Sequence, residues 1–275
     1  MLPPKHVFVV IVTYKRARIL ANCLQSLFNQ NLAEGDHVHV VVNSRDKETL
    51  QLLAVWTASF PLKLTFEILN NEGPAGGFYS GLSRFVAEGR FQYAWLMDDD
   101  IVAEPGCLKA LLNHAAAHEY LYPSVITSTG KKVVSFGWWG VFLSLDLVRT
   151  VGLPLRELFY WAEDSEYLQY RISWKHRVMP FRVDAAVVTH LHNRSSRRPS
   201  WYYYYTCRNT IFYRLYRTGI TKYGVKVVAG IIPYLVYNIV LRENRKLFKL
   251  KLVLLGLWHG LRGKLGKTID PELYA

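Results

Sequence analysis

The sequence predicts an α/β protein on a mostly parallel, doubly wound sheet, and two observations predict it. Nearly continuous apolar runs, as strands buried on both faces require, alternate with segments whose apolar residues recur at helical spacing. Polar residues able to hold a ligand then fall at the C-terminal ends of those runs, where open α/β sheets bind their ligands.

The elements follow in order. His6–Tyr14 (HVFVVIVTY) reads as the first strand. Residues 16–30 place Ile19, Leu20, Cys23, Leu24, Leu27 and Phe28 on one helical face. His37–Ser44 is a second strand and 46–59 a second helix, Leu62–Leu69 a third strand and Gly76–Glu88 a third helix. Phe91–Met97 is the fourth strand. Repeated β-α units of this kind imply parallel strands joined by right-handed crossovers. Thr13, Asn43, Asn70 and Asp98 fall at the strand ends. Beyond residue 104 the pattern loosens into a helix (104–119), a mixed stretch (125–150), an acid-led helix (about 163–176) and a β run (177–190).

The 275 residues carry a net charge of +13, unevenly spread. Residues 1–200 hold 21 Lys/Arg against 18 Asp/Glu, whereas residues 201–275 hold 13 against 3. A tail of +10 calls for a polyanionic partner, either nucleic acid or an anionic membrane face. Cys23, Cys107 and Cys207 are far apart and form no CxxC, so they read as reduced core or helix residues. Met1–Lys5 leads straight into a strand, so no secretory signal is expected and the chain is assigned to the cytoplasm.

The most informative residues are Asp98, Asp99 and Asp100, which follow the apolar run Tyr93–Met97. On an extended segment i and i+2 point the same way, so Asp98 and Asp100 are expected to share a face. Carboxylates gathered at a buried strand end need a cation, and a divalent metal carrying a diphosphate suits them. Asn70–Phe78 (NNEGPAGGF) joins the third strand to its helix, with glycines that let backbone approach an anion at the helix N-terminus.

Together these residues resemble glycosyltransferase family 2, whose members share the Rossmann-like GT-A fold. The resemblance runs from about Val7 to Asn209 and rests on TYKR at 13–16, NNEGPAGGF at 70–78 and LMDDDI at 96–101. GWWG at 137–140, FYWAEDSEY at 159–167, HLH at 190–192 and YYYTCRN at 203–209 extend it. Within the family the chain is most similar to bacterial galactofuranosyl- and rhamnosyltransferases, and LMDDDI favours the former.

The resemblance implies roles. Thr13, Tyr14 and Arg16 would line the base and ribose pocket, with Asn43 or a displaced Asp46 replacing the family's usual aspartate after the second strand. Asn71, Gly76 and Gly77 would lie against ribose and diphosphate. Asp98 and Asp100 would bracket the metal, leaving Asp99 for a neighbouring sugar or a structural contact, with His190 or His192 completing the shell. An imidazole among carboxylates favours Mn²⁺ over Mg²⁺. Trp138 and Trp139 would wall the sugar or acceptor site, only one of the rings facing the ligand, with Glu163 and His192 nearby. Asp164 would be the general base of an inverting transfer, taking the acceptor hydroxyl's proton.

The implied function is a metal-dependent transfer of a hexose from a UDP-sugar to a lipid-linked or polysaccharide acceptor. A dTDP-rhamnose-dependent transferase is the alternative on the same fold. The expected organisation is a catalytic domain over 1–200, with a nucleotide-sugar half to about 103 and an acceptor half after it, followed by a basic helical region over 201–275.

Val227–Leu241 is 15 residues without charge, short of the ~20 a spanning helix needs. Arg242–Lys267 mixes apolar residues with eight Lys/Arg and a single acid, the composition of a helix lying on an anionic membrane. The expected location is therefore peripheral, on the cytoplasmic face of the membrane. A non-catalytic nucleic-acid- or membrane-binding scaffold is the rival from another class, and aromatic residues interleaved with Arg, which can stack bases, prompt its nucleic-acid form. The long aliphatic stretches oppose it, and no nucleic-acid partner is expected. A homo-oligomer is left open.

Overall fold

The computed structural model describes residues 6–60, 63–133, 137–191, 197–219 and 221–274. They form two compact units, residues 1–154 with 171–192, and residues 155–170 with 193–275.

The first unit opens with the predicted alternation. Strands β1 (Val7–Thr13), β2 (His37–Val42), β3 (Leu64–Ile68) and β4 (Tyr93–Asp98) are parallel, in the spatial order β3-β2-β1-β4. Helices α1 (Ala17–Phe28), α2 (Lys47–Ser59) and α3 (Gly73–Glu88) connect them. All residues of β1 and β2 are buried, which is why both read as unbroken apolar runs. Local chemistry sets the helix ends. Asp46 caps α2 by accepting from Thr49 N, Pro74 lies in the first turn of α3, and Gly89 ends α3 in the left-handed conformation at φ +62°.

The sheet then departs from parallel winding. Short β5 (Ile101–Ala103) follows the acid triplet, and α4 (Cys107–His114), β6 (Tyr120–Thr127), β7 (Lys132–Val133), β8 (Trp139–Ser144), α5 (Leu145–Val151) and β9 (Phe181–His190) complete the unit. β8 lies antiparallel between β4 and β6, β6 pairs parallel with β9, and β9 pairs antiparallel with β5. The result is a curled, mixed α/β sheet. The register of β4 against β8 slips where Leu96 faces Val141 and Met97 faces Trp139, which leaves Gly140 as an extra residue. Gly140 sits at φ +86°, a conformation that a side chain would strain, so glycine makes this bulge.

The second unit contains α6 (Ser200–Phe212), α7 (Lys222–Arg242) and α8 (Lys246–Leu261), together with the loop over 155–164. A wide π-helix, Ser165–Lys175, runs from this unit into the first. Composition sets its boundary at residue 200, while residues 155–170 group with the C-terminal helices. The reason is hydrogen bonding from Arg208 and Asn209 to that loop. All three cysteines are buried and free, as expected.

Helices α6 and α8 approach closely because α8 offers Gly256 and Gly260 there. A Cβ on Gly256 would lie 2.7 Å from Tyr204 O, and one on Gly260 2.8 Å from Arg208 O. In an exposed helix Gly→Ala stabilises by roughly 1 kcal/mol. Here Gly256→Ala is expected to reverse that sign and cost about 1–3 kcal/mol through overpacking. The denaturant midpoint of the variant checks it.

Candidate active site

The carboxyl ends of β1, β4 and β9 gather the charged residues of the first unit. β4 ends at Asp98, and Asp99 and Asp100 form a turn before β5. Strand alternation therefore does not set the faces of Asp98 and Asp100, contrary to the expectation. The pairing of β5 with β9 does the positioning instead. Ile101 lies opposite His190, and Leu191 N donates to Asp100 O at 2.8 Å. His190 Nε2 thereby sits 3.4 Å from Asp100 Oδ1.

The middle acid is the anchor of the triplet. Asp99 is fully buried and accepts from Thr13 Oγ1 at 2.5 Å and from Arg16 Nε at 3.2 Å. Arg16 Nη2 pairs with the same carboxylate, and Nη1 donates to Asp100 Oδ2 at 3.0 Å. Burial pushes the Asp99 carboxyl up to about 6, with Arg16 and Thr13 opposing. Burial draws the Arg16 guanidinium down, but the three aspartates outweigh it and leave it above its ordinary value. Thr13 and Arg16, expected at the base and ribose, are thus engaged by the triplet, through Asp99, expected at a neighbouring sugar or in a structural contact. Tyr14 is half-buried in the β1–α1 turn, where Lys15 adopts φ +52° and sets its ammonium 5.1 Å from the Tyr14 ring centroid.

The glycine-rich turn is built differently from the expectation. Asn43, almost fully buried, donates through Nδ2 to Gly73 O (2.9 Å) and accepts at Oδ1 from Glu72 N (3.1 Å). Its amide therefore holds the β3–α3 turn. Asn71 stands in that turn at φ +44°. A Cβ on Gly77 would come 2.5 Å from Val12 Cγ1, and one on Gly76 2.3 Å from Glu72 Cβ, so both glycines are used in packing α3. Asp46 is a helix cap.

The two tryptophans divide their work. Trp138 is 3% exposed and stacks on Phe78, with ring centroids 4.2 Å apart, while its carbonyl accepts from Asp98 N. Trp139 is half-buried and leans on His190 at 5.0 Å. The Trp139 ring borders the charged cluster through His190, while the Trp138 ring packs in the core. His192 lies outside the described residues.

Among the described residues no three His, Cys, Asp or Glu side chains cluster closely enough to make a closed metal cage. The donor chemistry nonetheless fits a divalent ion that arrives on a nucleotide. Such ions are held by one or two carboxylates plus substrate phosphates. Asp100 and His190 stand together, and Asp98 heads the same turn.

Asp164 belongs to the second unit and is half-buried there. Its Oδ1 accepts from Ser165 N at 2.6 Å and from Ser165 Oγ at 3.2 Å. Burial raises its carboxyl above the usual range, against those hydrogen bonds, which suits a group that must accept a proton near neutrality. Glu163 beside it is 6% exposed. The chain reaches Asp164 through an unusual turn in which Phe159 (φ +63°), Trp161 (+73°) and Ala162 (+68°) are all left-handed without being glycine. Each costs about 1–2 kcal/mol. Such strain persists only where surrounding structure over-determines it.

Comparison with known proteins bears on this arrangement. The family model described as Glycosyl transferase family 2 matches residues 8–144. A curated relative, galactofuranosyltransferase GlfT1 of Mycolicibacterium smegmatis, is 33% identical over 114 residues, 41% of this chain and 36% of the relative. A second, deoxyguanosinetriphosphate triphosphohydrolase of Cronobacter sakazakii, is 30% identical over 184 residues, 64% of this chain and 35% of the relative. The chain spans about a third of the length of both. The solved structures bear on the fold. Mannosyltransferase PcManGT of Pyrobaculum calidifontis, in complex with GDP-Man and Mn²⁺, superposes with TM-score 0.58 at 14% identity, covering 97% of this chain and 77% of that one. TarS of S. aureus (residues 1–349) in complex with UDP-GlcNAc gives 0.57 at 13%, covering 95% and 93%. At such identities the likeness establishes the fold, which is that of GT-A glycosyltransferases.

Proposed function

Because residues 8–144 place the chain in glycosyl transferase family 2, we propose that it is an inverting, metal-dependent glycosyltransferase. It passes a hexose, galactofuranose, from a UDP-sugar to a hydroxyl of a lipid-linked or polysaccharide glycan. The observation that carries this reading is the joining of Asp100 to His190 and Arg16 at the carboxyl end of the sheet.

Asp98, Asp100 and His190 would hold Mn²⁺ or Mg²⁺, which when bound supplies positive charge to the departing diphosphate. Arg16, anchored by the fully buried Asp99, holds a fixed cation beside the same carboxylates. Trp139, which leans on His190, would border the sugar. Asp164 takes the acceptor proton as the hydroxyl oxygen bonds to C1 and the C1–O bond to the diphosphate breaks. Its Oδ1 already accepts from Ser165, so Oδ2 is the oxygen assigned to that proton. The similarity to GlfT1 supports galactofuranose as the donor sugar. Release of UDP from UDP-galactofuranose in the presence of acceptor tests the assignment. Turnover of dTDP-rhamnose alone would transfer it to the rhamnosyl alternative.

The same proposal puts the protein on the cytoplasmic face of a membrane. α7 has 21 residues, its most apolar 18-residue window has mean hydropathy 1.8, and it is the one helix among the described residues long and apolar enough to cross a bilayer. It extends beyond the 15 charge-free residues because Lys222, Lys226 and Arg242 sit in its terminal turns. Leu235 and Ile239 pack inside the unit, while Val225, Tyr234, Tyr237, Val240 and Leu241 are exposed. One buried stripe opposite an open apolar face, with cations at both ends, favours lying in the interface over spanning. Not every cation contributes, since Lys249 is buried against Glu243 at 2.6 Å. The full chain is expected to float with vesicles containing an anionic lipid and to be released by about 1 M salt, where screening shortens to ~3 Å. Retention at that salt would favour a span.

A further inference from the structure

The loop leading to Asp164 is held by two buried residues that the proposed chemistry does not use. Asn209 is fully buried on α6 and its Nδ2 donates to three backbone carbonyls, Leu158 O (2.8 Å), Tyr160 O (2.6 Å) and Trp161 O (2.9 Å). Two protons are therefore shared among three acceptors, two within the turn at 159–162 and one on Leu158 just before it. Arg208 beside it is also fully buried. Its Nε donates to Asn209 Oδ1 at 2.7 Å, which orients the amide, and its Nη2 donates to Leu158 O at 2.9 Å. Nη1 reaches Gly266 O at 2.6 Å and Thr268 Oγ1 at 3.1 Å, while the Tyr205 ring lies 4.7 Å from the guanidinium carbon.

A buried arginine on carbonyls and a ring face is costly to keep, and burial lowers its guanidinium from the ordinary value. What it secures is one backbone segment. Beyond the turn, Glu166 N donates to Ala162 O at 2.8 Å, and the fully buried Glu166 carboxylate is gripped by Arg217 at 2.8 and 3.0 Å. Glu163 and Asp164 are thus fixed on both sides within one unit, upstream by Arg208 and Asn209 and downstream by Arg217.

We propose that Arg208 and Asn209 are positioning residues that aim the Asp164 carboxylate by locking the left-handed turn at 159–162. This rests on the reading of Asp164 as the general base. Both are fully buried, and the proposal assigns neither a contact with substrate. They set the path of the chain into Asp164, and misplacement of a catalytic group by about 1 Å can cost ~10²-fold in rate.

The test is Asn209→Ala in the full chain, with kcat, its pH profile and UDP affinity measured together. The proposal predicts that kcat falls by about 10²-fold, that the acid limb of the profile moves, and that UDP affinity is unchanged. Ala162→Gly, which makes a left-handed position permissive without the clamp, restores part of kcat in the Asn209→Ala background. Should Asn209→Ala fail to fold, Arg208→Lys carries the same prediction, since an ammonium cannot bridge Leu158 O and Gly266 O as the fork does. A folded variant with wild-type kcat and pH profile overturns the proposal. So does a loss of kcat matched by an equal loss of UDP affinity, or one that Ala162→Gly leaves untouched. If Asp164→Asn keeps full activity, the base reading itself has failed. An inactive Asp164→Asn beside a fully active Asn209→Ala overturns the positioning role alone.

Discussion

Asp164→Asn is expected to fold, to bind nucleotide as the wild type does, and to transfer sugar about 10²–10⁴-fold more slowly, the contribution of a positioned base. The amide preserves the shape of the side chain and can still accept from Ser165, but it cannot take a proton. Steady-state kcat with UDP affinity measured alongside checks both halves. A second signature comes from pH. Burial holds the Asp164 carboxyl above its ordinary value of 3.8, so the wild-type acid limb should lie above that of a free carboxylate. The stability effect has the opposite sign from that of a salt-bridged acid. Between 3.8 and the raised value the folded protein keeps a proton that the unfolded chain releases. The group's contribution to stability therefore falls as pH rises through this window. Asp164→Asn should lose that dependence and gain stability relative to wild type above it, as denaturant unfolding across pH would register.

Asp100→Ala is expected to weaken metal-dependent nucleotide binding on the order of 100-fold, the upper end of what loss of even an outer partner of a metal site costs. The fold should survive, because Asp99 retains Thr13 and Arg16 when Asp100 is gone. Titration of Mn²⁺ into protein with UDP present, followed by the paramagnetic signal of the free ion, measures the loss. Affinity equal to wild type would remove Asp100 from the site.

The nucleotide half of the fold is legible because each of its elements obeys one period. β1 and β2 are buried throughout, and α1 buries Leu20, Cys23, Leu24 and Leu27 from its apolar face. The acid triplet was also legible as a site, but not in its geometry. Alternation holds only on an extended strand, and β4 ends at Asp98, so the pairing of Ile101 with His190 rather than side-chain parity brings Asp100 to the imidazole. Arg16 was assigned to the nucleotide because nothing local in the sequence reveals a bond to residues more than eighty positions away.

The loop before Asp164 was the least legible part. Left-handed backbone is normally announced by glycine or asparagine, and Phe159, Trp161 and Ala162 announce nothing. The only signal lay far along the chain in Arg208 and Asn209, polar residues in a tyrosine-rich helix whose burial is a tertiary outcome. The same contacts are invisible to composition, which draws its boundary at residue 200. Charge density changes there, whereas the second unit begins with the loop those two residues hold.

The central claim is that this chain binds a nucleotide-sugar through a metal-assisted diphosphate site. Calorimetry on the purified full chain tests it most directly, with UDP, UDP-galactofuranose and dTDP-rhamnose each titrated with and without Mn²⁺. The account predicts UDP binding that requires the metal and tightens with UDP-galactofuranose. A folded protein that binds none of the three with Mn²⁺ present would contradict it.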